Sequence, residues 1–101
     1  MFIPKFEINS ERNTFGKVII HRSPKKLSIQ LYQTIVFTKT DKTITLNSGG
    51  WLTNTTKQTI NSALHQLGLG YNICLYQKAG HWLVQLPNRV VPFKDGMRVR
   101  Y

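Results

Sequence analysis

The sequence predicts an α+β domain, in which one antiparallel β-sheet packs against a single α-helix in the order strands, helix, strands. Three observations indicate this class. A helical pattern of apolar residues occupies residues 55–67, strand-like alternation precedes it, and similar alternation follows it. One helix laid across one face of a sheet buries the apolar surfaces of both, so a helix-backed sheet is expected. The other face of the sheet is left to solvent or to a partner.

Strand-like segments precede the helix. Residues 15–21 are rich in β-branched and aromatic side chains, which favour a strand, and Ser23-Pro24-Lys25-Lys26 breaks it. Residues 27–39 alternate apolar and polar side chains and are predicted as one long strand. A turn at 40–43 then leads into a short strand at 43–47, so the two segments are expected to pair as a hairpin.

The helix predicted at 55–67 has a start, an apolar stripe and an end. Thr55 and Gln58 have the spacing of a capping box, in which each side chain binds the backbone of the other residue. Gly68 stands where a left-handed residue ends a helix, and Leu69 is then expected to fold back on Leu64. The stripe follows the spacing i, i+3, i+4, i+7 and consists of Ile60, Ala63, Leu64 and Leu67.

The β pattern returns after the helix. Two alternating runs, 71–77 and 82–86, are separated by a short Gly-containing loop and predict a hairpin. Residues 90–93 predict a short strand at a sheet edge, because Pro92 cannot donate a ladder hydrogen bond. The tight-turn pair Asp95-Gly96 precedes a last strand at 97–101.

Length and composition favour one small basic domain over residues 1–101, with residues 1–13 as an extended arm. A hydrophobic content of 41% is ordinary for a globular protein and too high for a disordered chain. No apolar run reaches the length of a membrane span, and the first residues lack the pattern of a signal peptide. A lone Cys74 and the absence of a Cys/His cluster predict no disulfide and no metal site, in a reducing intracellular setting.

The charge balance is the strongest compositional feature. Fourteen Lys and Arg residues against four Asp and Glu residues give a formal net charge of +10 and a pI near 10.2. Such an excess attracts polyanions, and a basic domain of this kind is typical of nucleic-acid binding. An acidic protein surface as the partner, or a charge that serves solubility alone, remains open. An anionic membrane is disfavoured because the sequence has no basic amphipathic helix.

The basic residues fall into patches along the chain. Arg98 and Arg100 are two residues apart in a predicted strand, so both project from the same face. The alternative is a set of solvated loop charges. Phosphate contacts from these residues would give affinity without sequence preference. The predicted contacts are Arg22, Lys25, Lys26, Lys39, Lys42, Lys78, Arg98 and Arg100.

The helix start has the residue types of a phosphate cradle. Gly49 and Gly50 allow a close approach of the backbone, and Thr55, Thr56 and Lys57 would donate hydrogen bonds to a phosphate at the helix N-terminus. The nucleoside-triphosphate motif GxxxxGK[ST] is missing, so nucleotide hydrolysis is not expected. In the alternative interpretation, which we favour, the glycines form a turn, Thr55 is a cap and Trp51 fills the core.

Five aromatic side chains are candidates for stacking on exposed bases, as in proteins that bind single strands: Trp51, Trp82, Tyr71, Tyr76 and Tyr101. For Trp51 and Trp82 a place in the core is the preferred interpretation. For Tyr76 and Tyr101, which stand close to Lys78 and Arg100 in the sequence, stacking and core packing remain equally open.

Catalysis finds little support in the sequence, and we expect neither an enzyme nor a cofactor. The three His residues and four carboxylates are scattered, with no paired spacing. A Cys74/His81 pair across the predicted hairpin is conceivable, but no third group is placed to orient it. Cys74 is more simply a small buried apolar side chain.

Several short strings follow one another along the chain: LNSGGW (46–51), TTK (55–57), Asn61 and Leu64, GLGY (68–71), Tyr76-Gln77-Lys78 with Trp82, and PF-x-DGM (92–97). In this order they resemble the motifs of a group of small proteins encoded by tailed bacteriophages. The resemblance covers roughly residues 44–97 and departs from the pattern at Leu52 and at the helix start. The group has no assigned activity, so the resemblance implies an accessory protein made in the cytoplasm of an infected bacterium.

Two functional hypotheses follow. The first is a nucleic-acid-binding accessory protein that grips phosphates through its basic residues. The second is a protein-binding inhibitor or adaptor that docks on an acidic surface of a host enzyme, in defence evasion or host takeover. A virion or assembly component is a third, weaker hypothesis.

Overall fold

The computed structural model describes residues 5–101, so residues 1–4 of the predicted arm lie outside the described part. The described chain forms two antiparallel sheets and one helix. The first sheet has the strand order β1-β2-β3-β4-β5-β9, and the second has the order β6-β7-β8. In chain order the elements are β1 (Thr14–Phe15), β2 (Val18–Ser23), β3 (Lys26–Leu31), β4 (Thr34–Lys39), β5 (Thr43–Leu46), α1 (Asn54–Gln66), β6 (Cys74–Lys78), β7 (His81–Gln85), β8 (Val90–Pro92) and β9 (Met97–Arg100).

The predicted α+β class is wrong, because residues 5–101 form a mainly β protein. Nine strands in two sheets accompany one short helix, where a single helix-backed sheet was expected. The order strands, helix, strands is met in part: β9 returns to the first sheet, whereas β6 to β8 form a sheet of their own. Alternation identifies a strand but does not identify its partner, so the sequence pattern could not separate the two sheets.

The long strand predicted at 27–39 is also wrong. It is two antiparallel strands, β3 and β4, that reverse direction at Tyr32 and Gln33. Tyr32 has φ 55°, a left-handed conformation that non-glycine residues rarely adopt. The usual turn residues Gly, Pro, Asn and Asp are missing here, so no turn was predicted. The hairpin to residues 43–47 is confirmed, with β4 pairing with β5.

The predicted helix is confirmed within one residue at each end, but its cap is not Thr55. Thr53 is the N-cap, and its Oγ1 accepts a hydrogen bond of 3.2 Å from the backbone N–H of Thr56. At the other end Gly68 adopts φ 77°, as predicted. The N–H of Leu69 donates to the carbonyl of Leu64 at 2.8 Å, which closes the helix in a Schellman arrangement. In residues 5–101 no helix is both long and apolar enough to cross a membrane.

The segments after the helix are confirmed as strands with shifted ends. The run predicted at 71–77 becomes β6 only from Cys74, because the N–H groups of Asn72 and Ile73 bind the carbonyl of Leu69 in a turn. The predicted edge strand is β8, which pairs with β7 alone and carries Pro92. The last predicted strand is β9, which pairs with β5.

The core lies between one face of the first sheet, the helix and the second sheet. Paired residues such as Val18 and Leu31 project from that face, and the helix contributes a fully buried stripe. The second sheet adds Leu75 and Val84 to the same cluster. The opposite face of the first sheet, here called the open face, carries mainly polar side chains, together with Ile19 and Ile35. The helix stripe consists of Ile60, Ala63 and Leu64.

Two amide side chains of the helix bind the backbone of neighbouring segments. Asn61 accepts a hydrogen bond of 2.8 Å from the N–H of Leu75 and donates one of 2.7 Å to its carbonyl, so it satisfies the outer edge of β6. Gln66 accepts from the N–H of Ile8 at 2.7 Å and donates to the carbonyl of Phe6 at 2.9 Å. The helix thereby fixes the second sheet on one side and the N-terminal segment on the other.

Candidate nucleic-acid interface

One end of the first sheet collects basic residues that are far apart in the sequence. The β2–β3 turn, the β4–β5 turn and the end of β9 all lie there, because neighbouring strands are antiparallel. Leu27, next to Lys26, lies opposite Lys39, and Arg100 lies opposite Thr43. We call this group the basic end; it consists of Lys25, Lys26, Lys39, Lys42, Arg98 and Arg100.

The basic end forms a band across the strands. From β3 to β9 there are three strand steps, which correspond to about 14 Å at the usual spacing. Arg98 and Arg100 lie opposite Thr45 and Thr43, and both arginine side chains are exposed on the open face. Such a band spans about four steps of a nucleic-acid strand at 3.4 Å per step.

The cations of this band are largely free to bind a ligand. Among residues 5–101, the side chains of Lys25, Lys26, Lys42, Arg98 and Arg100 make no hydrogen bond or ion pair. The exception is Lys39, whose Nζ lies 5.2 Å from the ring centre of Tyr101. The Tyr101 hydroxyl donates to the carbonyl of Thr40, so this aromatic side chain is fixed at the sheet end. Asp41, exposed in the β4–β5 turn, is the carboxylate of this region.

The open face continues the band with hydrogen-bonding groups. His21 lies 2.9 Å from the Gln30 side-chain oxygen, and the hydroxyls of Ser28 and Thr38 lie 3.4 Å apart. Hydroxyls, amides and cations are the groups that contact phosphates and sugars. The face is therefore mainly polar and cationic, with Ile35 as an exposed apolar side chain among these groups.

Arg22, a predicted phosphate contact, is occupied within the fold. Its guanidinium donates to the carbonyls of Ile8 and Ser10, each at 2.7 Å, to the carbonyl of Arg12 at 3.3 Å, and to the Asn13 side chain. These bonds hold the segment before β1 against the sheet. Arg22 therefore stabilises the fold, a role that the sequence did not predict.

The predicted residues of the helix start do not join the basic end. They lie at the other end of β3 and β4, about 17 Å away along a six-residue strand. Thr56 is buried, and its hydroxyl donates to the carbonyl of Trp51 at 3.0 Å. Lys57 Nζ donates to Gln77 at 3.0 Å and lies 5.3 Å from the ring centre of Trp82. Thr55 is half-buried there, and Lys78 is exposed at the end of β6 in the second sheet.

The segments of the LNSGGW and DGM motifs meet in space. Asp95 accepts hydrogen bonds from the backbone N–H and the hydroxyl of Ser48, at 2.8 and 2.7 Å. Gly49, at φ 63°, approaches β4 so closely that a Cβ atom would lie 2.6 Å from the Thr34 hydroxyl. These contacts fix the loop before the helix against the C-terminal turn and β4. Ser48, Gly49 and Asp95 therefore have a structural role.

The aromatic predictions divide between core and surface. Trp51 was expected in the core, but its side chain is 70% exposed. Trp82 is half-buried and packs on Phe93 with 5.8 Å between ring centres. Tyr71 is exposed and Tyr76 half-buried. Sequence reasoning missed Tyr32, whose exposed ring depends on a turn that no turn residue indicates.

The conceivable Cys74/His81 pair does not form. Cys74 lies opposite Gln85, whereas His81 lies opposite Lys78 at the other end of the hairpin, about 13 Å away. No group of three His, Cys, Asp or Glu residues within the described chain is arranged to hold a metal ion.

A family model described as Kyanoviridae Gp96 protein matches residues 5–100 of the chain. No curated protein and no solved structure matches it.

Proposed function

We propose that this chain, a member of the Kyanoviridae Gp96 protein family, binds nucleic acid through phosphate contacts from the basic end of its first sheet. The family makes it a bacteriophage protein. The observation that supports the proposal is the gathering of Lys25, Lys26, Lys42, Arg98 and Arg100 at one end of the first sheet, where their side chains make no hydrogen bond or ion pair within residues 5–101. We propose a binding role rather than catalysis, exercised in the cytoplasm of the infected bacterium.

The proposed mechanism is electrostatic. Each cation that neutralises a phosphate releases condensed counterions, so affinity falls steeply with salt. The half-buried Thr38, Thr43 and Thr45 hydroxyls of the open face would add contacts to phosphate or sugar oxygens. This mode gives binding with little base preference and fast association.

Binding to labelled DNA and RNA, measured by fluorescence anisotropy at several salt concentrations, tests the proposal. The triple variant Lys25→Gln/Lys42→Gln/Arg100→Gln is expected to flatten the dependence of log K on log salt by about 2 to 3 for a duplex. The control Lys5→Gln/Lys78→Gln/Lys94→Gln removes the same charge elsewhere and is expected to change this slope much less. Equal effects of the two variants, or no binding at low salt, would refute the proposal.

A second candidate function is that of an adaptor or inhibitor that docks on an acidic surface of a host protein. The edge of β9 favours it. Tyr101 N–H donates to the carbonyl of Lys42, so by alternation Arg98 and Arg100 direct their backbone groups away from β5. An acidic extended segment could pair with this edge as an added strand and place its carboxylates beside the Arg98 and Arg100 side chains. Pull-down from bacterial lysate with and without nuclease separates the two functions, since retention after nuclease treatment favours a protein partner.

A further inference from the structure

We infer that the cleft between the β3–β4 turn and the loop before the helix binds an unpaired nucleobase, which stacks on Trp51. For a base within a strand, this inference rests on the proposed function. A free nucleotide offers the same chemistry, so the cleft can be tested independently of the basic end.

The cleft is large enough for a nucleotide. Its volume is about 700 Å³, within the range of small-molecule sites. Leu31 and Val36 form an apolar floor, and both are buried. Tyr32 and Trp51 line the cleft from its two sides, one from the turn and one from the loop. An apolar floor with aromatic walls suits a flat, weakly polar ring.

Trp51 is held in place while its indole stays exposed. The backbone N–H of Trp51 donates to the carbonyl of Ser48 at 3.0 Å, and the Trp51 carbonyl accepts from the Thr56 hydroxyl at 3.0 Å. The Ser48–Asp95 bonds fix the loop further. The indole is nevertheless 70% exposed, so the fold orders its backbone without burying its ring. Because the backbone is already fixed, less conformational entropy is lost when the ring binds a partner.

Tyr32 is presented from the other side by an unusual backbone. Its φ of 55° is sparsely populated for a residue with a side chain, and such conformations cluster at ligand-binding positions. Its ring is 52% exposed. Lys17 Nζ lies 4.9 Å from the ring centre and 3.5 Å from the Tyr32 hydroxyl, so this side of the cleft carries a positive charge, which favours an anionic ligand.

The polar rim favours a nucleobase over an apolar peptide. Gln33 is exposed at the rim and offers both an amide donor and a carbonyl acceptor, which match the edge of a base. Stacking on aromatic side chains tolerates every base, because each has a π-face. A paired base would first have to leave its duplex, so single strands are the expected polymer.

Intrinsic fluorescence tests the inference directly. The chain has two Trp residues, so Trp82→Phe leaves Trp51 as the reporter, and Trp51→Phe leaves Trp82 as its control. Oligothymidylate and free thymidine monophosphate are the probes. We expect both to quench the Trp51 emission, the oligonucleotide at lower concentration, and neither to quench Trp82 to the same extent.

Affinity measurements give the second readout. Trp51→Ala is expected to weaken oligothymidylate binding about 5- to 100-fold and to leave the salt slope unchanged, because stacking releases no counterions. Tyr71→Ala, which removes another exposed aromatic ring outside the cleft, is the matched control and is expected to change nothing. Circular dichroism verifies that each variant keeps the fold.

The outcomes separate this site from the basic end. Salt-dependent strand binding with an unquenched Trp51 overturns the cleft assignment and leaves the proposed function intact. Quenching by the free nucleotide without strand binding supports the cleft and overturns the basic-end proposal. Quenching by an apolar peptide, with none by either nucleotide probe, overturns the nucleobase assignment in favour of a peptide groove.

Discussion

Arg22 binds the segment before β1 through four acceptors, and that segment contributes Phe6 and Ile8 to the core. A cation predicted from its neighbours Lys25 and Lys26 as a ligand contact therefore stabilises the fold. Charge and sequence position do not distinguish the two roles, because the carbonyls that Arg22 binds become its neighbours only in the folded chain.

Replacing Arg22 by Ala is expected to lower the free energy of unfolding by about 1–2 kcal/mol, since hydrogen bonds from a charged group are lost at a partly exposed site. Denaturant unfolding measures the loss, and faster hydrogen exchange at Ile8 locates it. Lys25→Ala, a neighbouring cation without partners in residues 5–101, is the control and should stay within about 0.5 kcal/mol. Equal losses for the two variants would contradict this role.

Gly49→Ala is expected to destabilise the protein for two reasons. The left-handed backbone costs about 1–2 kcal/mol for a residue with a side chain, and the new Cβ would lie 2.6 Å from the Thr34 hydroxyl. Adding Thr34→Ala removes the two closest atoms, Oγ1 and Cγ2, and leaves Cβ at 3.2 Å, so the double variant should recover part of the stability lost in Gly49→Ala. Thermal unfolding of the parent protein, the two single variants and the double variant provides a double-mutant cycle. Simple additivity of the two losses would show that the close contact does not matter.

At the scale of elements, the helix is also a cover for a sheet edge. Unpaired strand edges invite association with other chains, and Asn61 occupies the outer edge of β6 at Leu75. The sequence places Asn61 on the helix but does not show that its amide binds a strand. This is a contact between elements, and no periodicity within either element reports it.

Asn61→Ala is expected to lower the free energy of unfolding by about 2 kcal/mol, because it leaves the N–H and C=O of Leu75 without their partner at a part-buried position. Urea unfolding measures the cost. Asn72→Ala, at an exposed position, is the matched control and should be nearly neutral. A loss below about 0.5 kcal/mol at Asn61 would mean that water replaces the amide.

How far the sequence predicts each element depends on whether the signal is local. The helix stripe and Gly68 act within a few residues, so the helix is predicted within one residue at each end. The turn at Tyr32 has no glycine, so β3 and β4 merge into one predicted strand. The cap falls on Thr53 rather than Thr55, because several Thr residues offer equivalent hydroxyls and the loop geometry selects among them.

On the scale of the whole molecule, the topology decides which cations meet. The sequence predicts the excess of +10 and the individual patches. It does not predict that the turns around Lys25 and Lys42 lie at the same end of one sheet as Arg100, because that depends on the pairing of β9 with β5. Exposure of Trp51 is likewise a tertiary outcome, since an aromatic residue next to a helix fits either a core or a surface position.

The net charge predicts how salt affects the fold. The fourteen basic residues outnumber the four acidic residues, so the net electrostatic interaction within the folded chain is repulsive and destabilises the compact state. Raising the ionic strength from about 20 to 300 mM shortens the screening length from roughly 20 to 6 Å. The midpoint of thermal unfolding should therefore rise by about 3–6 °C. Differential scanning fluorimetry measures it, and a midpoint that falls with salt would indicate that attractive pairs dominate.

The position of β9 has a consequence for synthesis. β5 emerges from the ribosome before the helix and the second sheet, but its outer partner β9 follows them both. Likewise, Ser48 forms its hydrogen bond to Asp95 only after Asp95 has been translated. A nascent chain must therefore keep the flank of β5 unpaired while the intervening residues are translated, which exposes it to premature association with other nascent chains. The first sheet is completed only at the last step of translation of this segment.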